Sequence, residues 1–155
     1  MKKFLTLGAA LALALALTAC SGGGKTAADY DPAAASRALL DSGAFSETLE
    51  ALDADLVPGL YGLETAPDEA AVYSSTGATA EEVAVLRFAD QAAADAALTA
   101  LETRVADQKE ACQDYLPAEI PKLEQAIVKE SGKTVLLVVA SDYDKAQSAL
   151  DGLEG

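Results

Sequence analysis

The sequence contains few of the side-chain types that perform acid–base, nucleophilic or metal chemistry, and carboxylates are by far the commonest of them. The 155 residues contain 25 Asp and Glu, two Cys and no His. The lack of His excludes Ser-His-Asp and Cys-His catalysis and every zinc site that uses imidazole. Two Cys are too few for a four-cysteine metal site. Any reaction would therefore have to use carboxylates, a thiol, Lys or Tyr.

The adjacent carboxylates Glu81 and Glu82 are the first candidates for such chemistry. They lie between the turn at Gly77 and a run of apolar residues. Paired carboxylates are the working groups of most glycoside hydrolases. Neighbouring residues on a strand point to opposite faces, so these two side chains are not expected to converge. The sequence favours a solvated turn and strand start at this place.

Other acids have the one-residue spacing of calcium loops. The three pairs are Asp29 and Asp31, Asp53 and Asp55, and Asp142 and Asp144. None of them has the further oxygen ligands, turn Gly and terminal Glu that a calcium loop needs. Asp31, Asp53 and Asp142 stand where helices are expected to begin, so we interpret them as helix caps and expect neither metal nor cofactor.

Three lysines surround the last predicted hairpin, and carboxylates are interleaved with them. The residues are Lys122, Lys129 and Lys133, with Glu119, Glu124 and Glu130. An isolated basic cluster would suggest docking of an anion. The mixture of signs favours a solvated surface instead.

Tyrosines next to loops are the candidates for binding. Tyr61 and Tyr73 each adjoin a loop containing Gly or Ser, and aromatic side chains are common at binding surfaces. Loops carry binding residues more often than cores do. The sequence therefore predicts a binding surface around Tyr61, Gly62, Tyr73, Ser74 and Gly77, although core or rim positions are the usual places for tyrosines.

Cys112 is expected to be an inert, buried thiol. It belongs to an apolar stripe with helical spacing, formed by Ala94, Leu98, Leu101, Val105, Cys112 and Tyr115. A nucleophilic Cys would want a basic neighbour or a helix N-terminus. Glu110 and Asp114 are the charged residues beside Cys112 instead, which favours burial in the core.

The first 20 residues have the pattern of a targeting signal. Lys2 and Lys3 precede an apolar run that ends in Leu17-Thr18-Ala19-Cys20. The run is too short to span a bilayer. Its end resembles the lipobox of bacterial lipoproteins, in which the Cys is diacylated and becomes the N-terminus after cleavage. We therefore expect residues 1–19 to be a lipoprotein signal peptide and Cys20 to be the lipidation site.

The charge of the chain limits its partners. The formal net charge is −14, and removal of the signal peptide with its two Lys would make it −16. Nucleic acid is not an expected partner, because binding it needs a basic surface. Anionic lipid headgroups would also repel the folded body, so the lipid would hold the domain near the membrane without drawing it down.

The remaining chain reads as a tether followed by one domain. Residues 20–30 include a Gly-rich run typical of a linker, and residues 31–155 form a single α+β domain. Helices are predicted at 33–41, 90–116 and 143–153, with a short helix after residue 53. An extended segment is predicted at 45–50, and strands are predicted at 70–75, 82–88, 123–130 and 133–140. Hairpin spacing implies a four-stranded antiparallel sheet, with the long amphipathic helix on one face and short flanking helices.

In this order of motifs the chain resembles the DUF4358 family of small bacterial lipoproteins. The similar features are the lipobox, Leu60-Tyr61-Gly62-Leu63, the segment at 71–82, Tyr115 near Pro117, and the terminal hairpin and helix. The resemblance covers roughly residues 30–150. It implies a surface lipoprotein, most often of Gram-positive anaerobes, and carries no catalytic residues.

The function that these features favour is a non-catalytic, lipid-anchored domain that binds or scaffolds something at the cell surface. A small-ligand or solute-binding accessory lipoprotein is the first alternative, and it would need a deep pocket between sheet and helices. A hydrolase that uses carboxylates alone is the second, and it would need two carboxylates converging in a cleft.

Substitution of Cys20 tests the anchor. Cys20→Ala removes the thiol that both acylation and processing require, so the protein should be released from the membrane or misprocessed. Cell fractionation with a labelled fatty acid measures this, with Cys112→Ala as the variant that should keep the label. Label retained by Cys20→Ala would contradict the assignment.

Overall fold

The computed structural model describes residues 28–153. The expected signal peptide, the lipidation site Cys20 and the tether up to residue 27 lie outside the described residues. Within the described part, no helix is both long enough and apolar enough to span a membrane.

The centre of the domain is an antiparallel sheet of five strands in the order β1-β2-β3-β5-β4. The strands are β1 (Glu50–Ala51), β2 (Glu69–Ser74), β3 (Glu82–Arg87), β4 (Ile127–Ser131) and β5 (Thr134–Val139). Four strands were expected, and the antiparallel α+β architecture is as expected. The fifth strand is the two-residue β1, which pairs Glu50 with Ser74 at the end of β2. A segment this short has no periodicity by which a sequence could reveal it.

Five α-helices cover the sheet. They are α1 (Pro32–Asp41), α2 (Val57–Tyr61), α3 (Gln91–Tyr115), α4 (Ile120–Glu124) and α5 (Tyr143–Asp151). The side chains of Asp31, Asp90 and Asp142 accept hydrogen bonds from backbone N–H groups three residues later, as N-caps should. Asp53 precedes a 3₁₀ turn at Ala54–Leu56 and makes no such bond, so its predicted capping role is wrong.

The helices lie on both faces of the sheet, so the domain has three layers. The α3-side core, on one face, is built on Val72, Ala84, Leu86, Val135 and Leu137 and receives α2, α3 and α4. The α1-side core, on the other face, is built on Val83, Val85, Leu136 and Val138 and receives α1 and α5. This alternation with period two shows why β3 and β5 are apolar throughout: both of their faces are covered.

Two elements have bounds that differ from those predicted from the sequence. The strand expected at 123–130 begins only at Ile127, because α4 occupies Ile120–Glu124 with Pro121 in its first turn, where Pro favours a helix. The apolar stripe of α3 stops at Cys112, and Tyr115 is 84% exposed. The hairpin at Ser131-Gly132 is confirmed, with Gly132 in the left-handed region at φ +58°.

The segment before α1 is attached to the sheet. Tyr30, assigned to the tether from the sequence, is buried in the α1-side core. The Ser131 hydroxyl donates to the backbone oxygen of Ala28 at 2.8 Å, and the backbone N–H of Lys133 donates to the Asp29 carboxylate at 2.5 Å. The folded domain therefore includes residues 28–30 and does not start only at Asp31.

Cys112 offers a test of the core beneath α3. Its thiol is buried, in agreement with the prediction from the helical stripe. Cys112→Ala should lower the free energy of unfolding by about 1 kcal/mol, and Cys112→Asp by several, since the new charge would have no partner. Ala111→Asp, on the exposed side of the same turn, is the matched control and should change it little. Urea unfolding measures the effect, and rapid reaction of Cys112 with a thiol reagent in the native state would contradict it.

Candidate functional site

The adjacent carboxylates at the start of β3 are both inside the protein. Glu81 and Glu82 are each 1% exposed, so the expectation of a solvated turn and strand start is wrong. The expectation that they point to opposite faces is correct, because their hydrogen-bond partners come from different sets of elements. Burial of two neighbouring charges requires a cationic partner for each, and Arg104 and Lys122 are these partners.

Glu82 faces the helices of the α3-side core. Its carboxylate accepts a hydrogen bond from the Tyr61 hydroxyl and is paired with the Arg104 guanidinium, with Nη2 to Oε2 at 2.9 Å and Nε to Oε1 at 3.2 Å. The Gln108 amide nitrogen donates to Oε2 at 3.1 Å. One carboxylate thus holds α2 and α3 against β3. We call Glu82, Tyr61, Arg104 and Gln108 the Glu82 cluster.

Burial sets the protonation states in the Glu82 cluster. Burial, together with the charge and the hydrogen bond of Glu82, raises the pKa of Tyr61, so the phenol stays protonated. Burial alone would lower the pKa of Arg104, but its bonds to Glu82 outweigh this and raise the pKa. The guanidinium carbon lies 5.4 Å from the centroid of the Tyr61 ring, which adds a cation–π contact.

Glu81 faces the loops of the α1-side core. Its carboxylate accepts from the Ser46 backbone N–H at 3.0 and 3.1 Å, the Ser46 hydroxyl at 2.9 Å and the Ser141 hydroxyl. Lys122, the third residue of α4, has its Nζ 3.3 Å from Oε1 of Glu81. Burial alone would raise the pKa of Glu81, but the bonds from Ser141 and Ser46 and the charge of Lys122 lower it. Glu81 therefore stays ionised at neutral pH.

A third buried carboxylate completes this group. Glu119 is 8% exposed, and its Oε2 lies 2.9 Å from Lys122 Nζ and 2.9 Å from the backbone N–H of Ala80. Lys122 therefore bridges two carboxylates, and we call Glu81, Glu119, Lys122, Ser46 and Ser141 the Glu81 cluster. The prediction that Lys122 lies on a mixed solvated surface is wrong, because its side chain is only 19% exposed.

The three lysines singled out from the sequence do not form one site. Lys133 lies by the β4–β5 turn and donates to the backbone oxygen of Ala89 at 3.2 Å. Lys129 on β4 stands 6.0 Å from the centroid of the Tyr30 ring. Lys122 lies at the opposite end of the sheet, beside Glu81 at the start of β3. No anion-binding cluster results from these residues.

The geometry of the two clusters limits what chemistry they support. Glu81 and Glu82 face away from each other, and each is engaged by donors from the fold. Among residues 28–153, no group of three or more Cys, Asp or Glu side chains is arranged to hold a metal ion. The arrangement suits structural clamping of the helices and loops, since a general acid or base needs a carboxylate that substrate can reach.

The residues of the predicted binding surface are divided between the two faces. Tyr61 is buried in the α3-side core, whereas Tyr73 packs against the α1-side core. Ser74 lies in β2, opposite Glu50 and Glu82. Gly77 is in the exposed β2–β3 turn with φ +108°, which a side chain would disfavour. These five residues therefore do not share one patch.

Two of the five residues, Tyr61 and Gly62, do line an open groove on the surface. Two cavities of about 610 and 350 Å³ share Gly62, Ala100 and Thr103, and lie between residues 60–65 and the N-terminal part of α3. We call them together the α3 groove. Small side chains of α3 form its wall, namely Ala92, Ala93, Ala96, Ala97, Thr99, Ala100 and Thr103. Sequence reasoning did not find this groove, although a helix face of Ala and Thr was the available signal.

Sequence reasoning also missed Arg104 and Lys122 as partners of buried acids, and Glu119 as a buried acid itself. One signal was present: two carboxylates begin a strand that is otherwise apolar on both faces, and such a strand is normally central. Its first residues must then be buried and need partners. These partners lie 21 to 60 positions away along the chain.

Comparison with protein-family models matches residues 41–140 to the family described as a domain of unknown function, DUF4358. Neither the search of curated proteins nor the search of solved structures gave a significant match.

Glu81→Gln tests the buried clamp. The variant keeps the shape but removes the charge beside Lys122, so unfolding should cost about 2 kcal/mol less at neutral pH. The pKa of Glu81 is lowered in the folded state from 4.5, so the native contribution is present above about pH 4.5 and is lost as the pH falls further. The stability difference between native protein and variant should therefore shrink in acid. Urea unfolding from neutral to acidic pH measures it.

Glu69→Gln is the matched control, because Glu69 pairs with Arg87 on the surface of the same sheet. It should change the free energy of unfolding by about 0.5 kcal/mol or less. If the Glu81→Gln and native curves ran parallel through the acid range, the stabilising charge of Glu81 would be refuted.

Proposed function

The chain belongs to the DUF4358 family, and we propose that it is a membrane-anchored extracytoplasmic lipoprotein whose folded domain binds a partner and performs no reaction of its own. The anchor rests on the sequence ending in Leu17-Thr18-Ala19-Cys20. The observation that carries the binding role is that Glu81 and Glu82 are buried and paired inside the fold, whereas the open groove along α3 lies at the surface.

The buried carboxylates argue for binding over hydrolysis. A carboxylate hydrolase needs two acids on the same cleft, about 5 to 9 Å apart. Glu81 and Glu82 face opposite sides of the sheet and are tied to Lys122 and Arg104. Freeing Glu82 to accept a proton from substrate would leave Arg104 without its carboxylate partner, and freeing Glu81 would leave Lys122 with Glu119 alone.

The α3 groove is the surface that best fits a binding role. It combines a wall of small side chains with the polar rim of Glu64, Asp90 and Asp107. Arg104 also lines it, but its charge is already paired with Glu82. The rim is therefore net acidic, so a neutral or basic protein surface is the favoured partner.

A small ligand in the same groove is the alternative. The larger cavity, at about 610 Å³, has the size of many ligand sites. It lies at the surface against α3, however, and both cores between sheet and helices are filled by fully buried side chains. This placement favours a protein partner over an enclosed solute.

Photocrosslinking in intact cells tests the groove. A photoreactive side chain at Ala96, which lines the groove, should give an adduct with another protein. The same side chain at Ala111, an exposed position later in α3, is the matched control and should give none. A small-mass adduct at Ala96 would indicate the small-ligand alternative, and equal yields at both positions would contradict binding in the groove.

A further inference from the structure

We propose that the domain stands on the membrane with its β4–β5 hairpin facing the lipid and the Glu81 cluster facing away. This inference rests on the proposed acylation of Cys20. It uses the point at which the chain enters the fold and the length of chain between that point and the acylated residue. The surface assigned to the lipid is the end of the sheet around Ser131–Thr134.

The entry point of the chain is fixed by three consecutive residues. Ala28 accepts from the Ser131 hydroxyl at 2.8 Å, Asp29 from the Lys133 N–H at 2.5 Å, and Tyr30 from the Thr134 hydroxyl at 3.1 Å. All three donors belong to the β4–β5 hairpin. The first described residues of the chain, Ala28 to Tyr30, therefore lie at the hairpin end of the domain.

The long helix joins this end of the domain to the other. α3 starts beside the hairpin, where Lys133 donates to the backbone oxygen of Ala89 and Gln91 donates to Glu130. It ends at Tyr115, four residues before Glu119 of the Glu81 cluster. At 1.5 Å per residue the two ends of α3 are about 36 Å apart.

The tether is shorter than the domain. Eight peptide steps separate Cys20 from Ala28, and at about 3.6 Å per step they reach at most about 29 Å. An inverted domain, with Tyr115 at the lipid and α3 upright, would hold Ala28 about 36 Å from the membrane, which the tether cannot reach. Tipping the domain onto its side would bring more of its net negative surface close to anionic headgroups than contact through the hairpin end does, and the repulsion would be greater.

The orientation decides which surface meets partners first. Tyr115 and Tyr143 are 84% and 40% exposed, and with Leu56 they are the large exposed apolar side chains of the described residues. Both tyrosines lie at the end that points away from the lipid, since Tyr143 is two residues from Ser141. The α3 groove begins at Asp90 and Ala92, near the lipid-facing end, and runs along the side of the domain as far as Asp107.

Depth measurement on the intact lipoprotein tests the orientation. The full chain, processed and acylated in cells, is placed in vesicles of phosphatidylcholine and phosphatidylglycerol that carry a headgroup-bound nitroxide quencher. Single fluorophores are attached to Ala89→Cys at the hairpin end and to Ala78→Cys in the β2–β3 turn, both in a Cys112→Ala background. These are matched substitutions of exposed loop alanines.

Quenching should be severalfold stronger at position 89 than at position 78. Ala118→Cys, exposed near the end of α3, should behave like position 78. Equal quenching at all three positions, or the reverse order, on protein whose N-terminal peptide carries the acyl group would overturn the orientation alone. Absence of the acyl group from that peptide would overturn the proposed anchor, and the orientation with it.

Discussion

The burial of two adjacent carboxylates at the start of a central strand determines how the surrounding helices and loops are placed. Glu81 and Glu82 cannot share a partner, because strand geometry sends them to opposite faces. Each therefore has its own set of polar partners: Tyr61 and Arg104 bind Glu82, and Ser46, Ser141 and Lys122 bind Glu81. Residues from α2, α3, α4 and two loops are fixed by one dipeptide.

Such an arrangement contributes more to selecting a single strand register than to the free energy of folding. A buried ion pair gains little over a well-packed apolar pair, because both charges lose their hydration. The positions of Glu81 and Glu82 nevertheless specify the register of β3 against β2 and β5. A slip of one residue would turn Glu82 toward the α1-side core and Glu81 toward Arg104, and would move every apolar residue of β3 to the wrong face.

The sequence predicts those parts of the fold whose signals are local. The N-caps Asp31, Asp90 and Asp142 precede helix-forming residues, and the apolar run of β5 indicates a strand that is buried on both faces. These signals lie within a few residues of the structure they specify. The family could be assigned for a related reason, because the order of such local motifs along the chain is itself a pattern.

The parts that the sequence did not predict depend on distant residues. Lys122 looked solvated because Glu119 and Glu124 flank it in the chain, yet its main partner besides Glu119 is 41 residues away. Tyr115 continued a helical stripe in the sequence, but the buried part of that stripe ends at Cys112 and Tyr115 is 84% exposed. No local pattern distinguishes a carboxylate at a solvated turn from one that a remote cation will neutralise.

The candidate binding groove is itself a consequence of the buried clamp. Tyr61 is held at the sheet by Glu82, and Gly62 follows it in the left-handed region at φ +64°, where the chain turns away from α2. Residues 62–65 then pass beside α3 without covering its Ala-rich face, and the groove is the space that remains. Because Arg104 contributes to both the clamp and the groove wall, the shape of the open surface follows from the ion pair beneath it.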